Sequence, residues 1–269
     1  MARMTFVAYL RDAWARRELL RQLAWREVKA GRRQSLLGLG WIFLQPLAYL
    51  FIISLVFAVQ IGRGEQDVPY PLVLVCGLIP WLFFAGTLSA GTTSVVGMGG
   101  LIGKVAFPRV FCPLSAMAAH LPNLLAGLVI LCGMLFWYGR TPTVHWLWLV
   151  PIFLVLAVLA LGLALFLGAF NVYTRDVESL LPLLMQVWFF ASPIIYPLGM
   201  GYEALARHGL LALYKLNPMI YLIEALRSAL LYGRAPGDGL AIAAGLSLLV
   251  LGGGWLVFTR LERNFADVV

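Results

Sequence analysis

Charge is what this sequence has least of. Aspartate, glutamate, lysine and arginine make up 12% of its 269 residues, where a soluble globular domain carries about a quarter, and the shortfall excludes an ordinary water-soluble enzyme. Cysteine is scarce too. Cys76, Cys112 and Cys132 are odd in number, stand at no metal-ligand spacing, and fall within or at the edge of apolar stretches, where a thiol behaves as a small hydrophobe. Neither a disulfide nor a metal site is expected. Acidic residues are missing from the long apolar stretches altogether, which removes the carriers that an intramembrane proton relay or a carboxylate-based transport site would use. Aromatic residues are plentiful instead: 16 Phe, 10 Tyr and 9 Trp in a chain that is 62% hydrophobic exclude a disordered or collagen-like polymer.

What remains is a polytopic membrane protein. Six windows are free of charged residues: Gln34 to Gly62, Val68 to Gly103, Val110 to Gly139, Thr141 to Thr174, Ser179 to Tyr202 and Gly239 to Thr259. They hold 29, 36, 30, 34, 24 and 21 residues. A helix needs roughly 20 apolar residues to cross a hydrocarbon core ~30 Å thick, so each window holds one span. The short alternating strands of a membrane barrel are absent. The expected fold is therefore all-α, with six transmembrane helices and both termini on one side.

The basic residues say which side, because short loops rich in Lys and Arg stay in the cytoplasm. With the termini inside, the cytoplasmic segments hold 14 basic residues against 6 outside, nine of the 14 lying before the first span. The formal charge of +8 is thus mainly a topology signal, with attraction to anionic lipid added. It does not read as nucleic-acid binding, since beyond the first 33 residues the basic groups are dispersed.

About 35 residues precede the first apolar stretch, too many for the short basic region of a signal peptide. Within them Phe6, Leu10, Trp14, Leu20, Leu23, Ala24 and Val28 recur at helical spacing, while Arg11, Arg16, Arg17, Arg21, Arg26, Lys29, Arg32 and Arg33 fill the other faces. That is the pattern of an amphipathic helix in the membrane interface. It serves either as a plain anchor or as a surface that docks a cytoplasmic partner.

Catalytic machinery is mostly absent. His120 is the one intramembrane ionisable group besides thiols and phenols, and an isolated histidine with no carboxylate near it in sequence reads first as a hydrogen-bonded structural residue; His145 and His208 fall in outer loops. A Gly-rich stretch, Met98 to Val105, imitates a phosphate-binding loop but has Met98 where the first glycine belongs and Val105 where the Ser or Thr belongs. Both the tight turn and the magnesium-binding hydroxyl are lost, and the chain is not expected to bind ATP.

The connections are more informative. Between Gly99 and Arg109, glycines let the chain leave one helix, Leu101 to Ala106 form a short amphipathic piece parallel to the membrane, and Pro108 suits the first turn of the next span. Arg175 and Asp176 sit in a second tight cytoplasmic loop, where they either pair or seal one end of a conduction path. The outer region from Pro197 to Asp238 is too long for a turn and too apolar for a plain loop. Its pattern, broken at Asn217 and Pro218, suggests short helices that dip into the outer leaflet and return. Irregular backbone at that depth needs protein or a water-filled cavity around it, as at the gate or rim of a conduit.

Several runs carry a resemblance: GRRQSLLGLGWIFLQPL at 31–47, GKVAFPR at 103–109 with PLS at 113–115, NVYTRDV at 171–177, SPIIYP at 192–197, NPM at 217–219 and LERNFADV at 261–268. Together, in this order and from end to end, they resemble the permeases of ABC-2 type transporters, and more narrowly those that export the O-antigen polysaccharide of lipopolysaccharide. The resemblance implies a homodimer in the bacterial inner membrane, joined from the cytoplasm by two separate ATP-binding-cassette subunits that bind ATP and Mg, so that this chain is a transport subunit without a cofactor of its own.

It also assigns parts. The interface helix would occupy residues 1–35, spans one to five 36–198, a periplasmic gate of re-entrant helices 199–238, span six 239–260 and a cytoplasmic tail 261–269. Leu101, Ile102, Lys104, Phe107 and Arg109 of a coupling helix, with Arg26, Lys29, Arg32 and Arg33 of the interface helix, would meet the ATPase. Tyr202, Asn217, Pro218 and Tyr221 would form the gate. The apolar faces of sugar rings stack on aromatic side chains loosely enough for a polymer to slide, which nominates Tyr49, Phe57, Trp81, Phe84, Trp188, Phe189 and Tyr196 as the lining. Within this class the cargo could equally be a capsular or teichoic-acid-like polymer. The alternative of another class is a membrane enzyme acting on lipid-linked sugars with His120 as base; it calls for several polar residues converging at one membrane depth, and none is evident from the windows.

Overall fold

The computed structural model describes residues 17–30, 40–61, 68–102, 107–207, 209–262 and 265, with side chains for all of these except 30, 57–61, 101, 102 and 203–205. Every regular element among them is helical. Helix α1 is Arg17–Ala30, α2 Trp41–Ile61, α3 Tyr70–Gly97, α4 the single turn Gly99–Ile102, and α5 Phe111–Trp137. A 3₁₀ stretch, Val144–Trp148, leads into α6, Leu149–Asn171. Then come α7, Asp176–Phe190, the short α8, Leu198–Arg207, and α9, Leu211–Lys215, followed by α10, Pro218–Leu230, and α11, Gly239–Leu261.

Four of the expected six spans have full length and apolarity among the described residues: α3 with 28 residues, α5 with 27, the continuous stretch Val144–Asn171 with 28, and α11 with 23. The first window holds α2, whose 21 apolar residues reach Ile61. The fifth window departs from expectation. Helix α7 stops after 15 residues, roughly 22 Å at 1.5 Å per residue, less than the hydrocarbon core. The cause is local: Pro193 and Pro197 have no N–H to continue the ladder and drive the residues before them out of helical geometry, so 191–197 turns and α8 starts afresh at Leu198. At the end of α5 a glycine is required. Gly139 has φ 70°, and the Gly139 and Arg140 amides donate back to the carbonyls of Phe136 at 3.0 Å and Leu135 at 2.8 Å, the paired bonds that close a helix around a left-handed residue.

Lipid offers no hydrophobic drive for one apolar helix to pack on another, so close approach at small residues must hold spans together. Helix α6 illustrates this on two sides. Toward α11, a β-carbon on Gly254 would overlap the carbonyl oxygen of Gly162, and one on Gly162 would lie 2.7 Å from the Leu251 Cα. Toward α3, a β-carbon on Gly91 would come within 2.6 Å of that of Ala164. Two buried clusters result. One gathers Leu23 of α1 with Met98, Phe107, Phe111, Val172, Phe258 and Phe265 at what we term the basic end; the other surrounds α3 and α10 toward the opposite end, with Leu72, Leu78, Ile194, Leu222 and Leu226.

Candidate functional site

Helices α2, α3, α5 and α7 enclose a cleft of about 410 Å³. Its lining joins Gln45 and Tyr49 of α2, Trp81, Phe83 and Ser89 of α3, His120 and Asn123 of α5, and Pro182 and Met185 of α7. Polar residues do converge within the apolar windows, contrary to the sequence expectation, because those that meet lie on three different helices. His120 and Asn123 share a face of α5 by their three-residue spacing. The imidazole rests on the α3 backbone where Gly86 has no side chain: a β-carbon there would stand 2.6 Å from Cδ2 and 2.7 Å from Nε2. Gln45, Tyr49, Ser89 and Asn123 are exposed. Such groups are costly against hydrocarbon, so this side of the helices is built to meet water or protein.

An aromatic wall stands behind the cleft. The Trp81 ring lies 5.7 Å from that of Phe84 and 5.5 Å from that of Phe189, and Phe84 lies 5.1 Å from Trp188, at tilted or edge-on angles favoured by aromatic pairs. Four of the nominated lining residues are therefore one cluster. Their exposures differ: Phe84 is fully buried and supports the wall from behind, Trp81 is buried with its edge on the cleft, and Trp188 and Phe189 are half-buried. Tyr49 stands exposed at the mouth of the cleft. Phe57 lies in α2, but its side chain is outside the described residues. Tyr196 is half-buried in the 191–197 turn and donates to the Phe190 carbonyl at 3.1 Å.

That turn is pinned by two residues of α10. Asn217 caps the helix by accepting from the Met219 amide at 3.0 Å, while Pro218 occupies the first helical position. Arg227, expected in an outer loop among solvated charges, is instead buried. Its guanidinium donates to the carbonyls of Val73 at 3.1 Å, Ile194 at 3.2 Å and Tyr196 at 3.4 Å. Tyr70 adds a bond to the Ile195 carbonyl at 2.9 Å. Of the other nominated gate residues, Tyr202 stacks edge-on with Tyr214 at 5.5 Å and Tyr221 donates to the Lys215 carbonyl at 2.8 Å. Burial pushes the Tyr214 phenol well above its ordinary pKa, with the neighbouring Tyr196 adding to the rise.

At the basic end, α1 packs on α5 through Leu23 and leaves Arg26 and Lys29 exposed, the amphipathic division expected. Phe107 is buried and Arg109 half-buried. The backbone of Leu101 and Ile102 forms α4, while Lys104, Arg32 and Arg33 lie outside the described residues. Arg175 and Asp176 are both exposed, and among the described residues no ion pair joins them. Sequence reasoning missed Phe265. Its ring is buried 5.4 Å from that of Phe258 and 6.1 Å from that of Tyr173, with the Arg109 guanidinium 6.0 Å from its centroid. The tail motif ending in NFADV carried that signal in its one aromatic residue.

Comparison with known proteins agrees with this architecture. The family model described as ABC-2 type transporter matches residues 18–231. An O-antigen export system permease protein from Myxococcus xanthus, RfbA, is 30% identical over 98% of this chain and 100% of its own length, and one from Klebsiella pneumoniae is 26% identical over 94% and 95%. The polysialic acid transport protein KpsM of Escherichia coli is 24% identical over 77% of this chain and 79% of its own. With a family match over most of its length and a full-length relative of this kind, the chain belongs to the ABC-2 type transporter family.

Proposed function

We propose that this chain is the permease subunit of an ATP-driven exporter that moves a lipid-linked polysaccharide of the O-antigen class across the bacterial inner membrane, from the cytoplasm to the periplasm. The observation that carries the reading is the end-to-end match to O-antigen export permeases. Two copies form the pathway, each with six passes and cytoplasmic termini, and two ATP-binding-cassette subunits, which bind the ATP and Mg, dock at the basic end. The cleft supports this reading, since a polar surface on membrane helices suits a hydrated conduit and its aromatic edges suit sugar faces. A capsular polymer is the second reading, supported by the KpsM match, which covers less of the chain.

Deleting the gene from its host tests the proposal. Surface polysaccharide is expected to disappear while its lipid-linked precursor accumulates inside, and returning the gene should restore the surface polymer. A surface polymer unchanged by the deletion would overturn the reading.

A further inference from the structure

We infer that the cleft between α2, α3, α5 and α7 is a binding station for a single uncharged, hydroxyl-rich sugar ring, held by His120 and Asn123. The inference rests on the export reading and adds which part of the cargo this chain grips, and with which groups. A cleft of 410 Å³ lies near the lower end of the roughly 300–1,000 Å³ typical of ligand sites, enough for one ring of a polymer and not for a coiled chain.

The chemistry of the lining selects the ligand. Gln45, Tyr49, Ser89, Asn123 and neutral His120 each both donate and accept hydrogen bonds, as a sugar hydroxyl does. The lining contains no Lys, Arg, Asp or Glu, so a phosphate or carboxylate would enter without a counter-charge at a low-dielectric depth. An acyl chain would strand the amides and the imidazole against hydrocarbon, at a cost of several kcal/mol by the usual range for unpaired polar groups. The edges of Trp81 and Phe83 and the ring of Tyr49 supply apolar surface for the C–H face of a ring.

The site is also built to stay in place. Gly86 seats the imidazole, and a β-carbon on Gly127 would lie 2.9 Å from the Ile79 Cγ2, so α5 approaches α3 closely on both sides of Asn123. Each wall helix has an interior proline: Pro46, Pro80, Pro122 and Pro182. Such a proline deprives the carbonyl four residues earlier of its helix donor. For Pro46 that carbonyl belongs to Ile42, which also lines the cleft.

The test uses the full chain purified with its ATPase subunit, and saturation-transfer NMR with three probes: maltotriose, chitotriose and tri-galacturonate. Transfer to ring protons of a neutral probe is expected. His120→Leu combined with Asn123→Leu should weaken it by about tenfold, the equivalent of one or two lost hydrogen bonds; Gly86→Ala should weaken it as well, and His120→Gln, which keeps a donor and an acceptor, should retain most of it. Gly252→Ala, at a position facing open space, should leave binding unchanged and serves as the control for handling. Overturning results are no transfer from the native protein to either neutral probe, transfer undiminished in the double variant, or stronger transfer to tri-galacturonate. Surface polymer in cells carrying the same chains separates the two levels. Export by the native chain without neutral-sugar transfer defeats this inference alone, whereas absent export defeats the reading beneath it.

Discussion

The indole Nε1 of Trp188, near the end of α7, donates to Oδ1 of Asn217 at 2.9 Å, and the same oxygen accepts the Met219 amide that starts α10. The Asn217 Nδ2 donates in turn to the Ser192 hydroxyl at 2.9 Å. One amide therefore joins the aromatic wall, the 191–197 turn and the first turn of α10.

Replacing Asn217 by Ala removes a helix cap, about 1 kcal/mol, and leaves the indole without its acceptor, about 1–3 kcal/mol. The purified chain is expected to lose about 2–4 kcal/mol. Asn217→Asp keeps the acceptor and loses only the Nδ2 donor, so it should fall between. Thermal unfolding followed by tryptophan fluorescence reads both, and an unshifted Asn217→Ala midpoint would show that the cap and the indole bond are dispensable.

Arg227 makes a more severe prediction. It is 1% exposed and bonds carbonyls from α3 and from the 191–197 turn. Arg227→Met leaves those carbonyls buried without a donor and should cost about 3 kcal/mol or more, enough to abolish accumulation of folded protein. Arg227→Lys keeps the charge but not the planar fork that reaches several acceptors at once, so a reduced but measurable yield is expected in membranes. Equal yields of Met and native chains would contradict the tie.

Arg227 also illustrates where sequence reading stops. Charge-free windows located α2, α3, α5, α6 and α11 well, because a helix crossing lipid must be apolar along its whole length. A charge between windows reads as a solvated loop, and nothing in the sequence says that backbone carbonyls freed by Pro193 and Pro197 surround this one. The fifth window was overread for the same reason: apolarity persists through 191–197, while the helix does not. The gate motif Asn217–Pro218 was legible from cap chemistry alone. The cleft was not, since Gln45, Ser89 and His120 are far apart in sequence and meet only once α2, α3 and α5 pack.

The α6–α11 contact predicts a sharp positional effect. Gly252, Gly253 and Gly254 are consecutive, yet a β-carbon meets nothing within 4 Å at the first two and overlaps the Gly162 carbonyl at the third. Gly254→Ala should destabilise by about 1–3 kcal/mol, the usual range for overpacking. Gly252→Ala and Gly253→Ala should be neutral or slightly stabilising, as alanine favours a helix. Melting temperatures of the three variants decide it, and equal values would mean that the helices separate without cost.

The last prediction concerns how a stroke at the basic end reaches the spans. Under the export reading the segment ending at Phe107 to Arg109 receives the ATPase, and it must be rigidly joined to helices that line the path. Phe265 provides a joint: its buried ring touches Arg109 on one side and Phe258 of α11 and Tyr173 on the other, while the Tyr173 hydroxyl donates to the Leu261 carbonyl at 3.1 Å. Deleting the ring leaves a cavity worth about 3–5 kcal/mol in a closed core. Near a chain end the cheaper response is for the tail to undock, so Phe265→Ala should leave the spans folded and the ATPase bound. Polymer exported per ATP hydrolysed is then expected to fall several-fold, with Phe265→Leu retaining most of it. Arg109→Ala should lower the same ratio with little loss of stability, since a partly exposed cation over a ring contributes only about 0.5–1 kcal/mol. Reconstituted vesicles in which hydrolysis and export are counted together provide the measurement, and an unchanged ratio in Phe265→Ala would show that force passes to the spans without the tail.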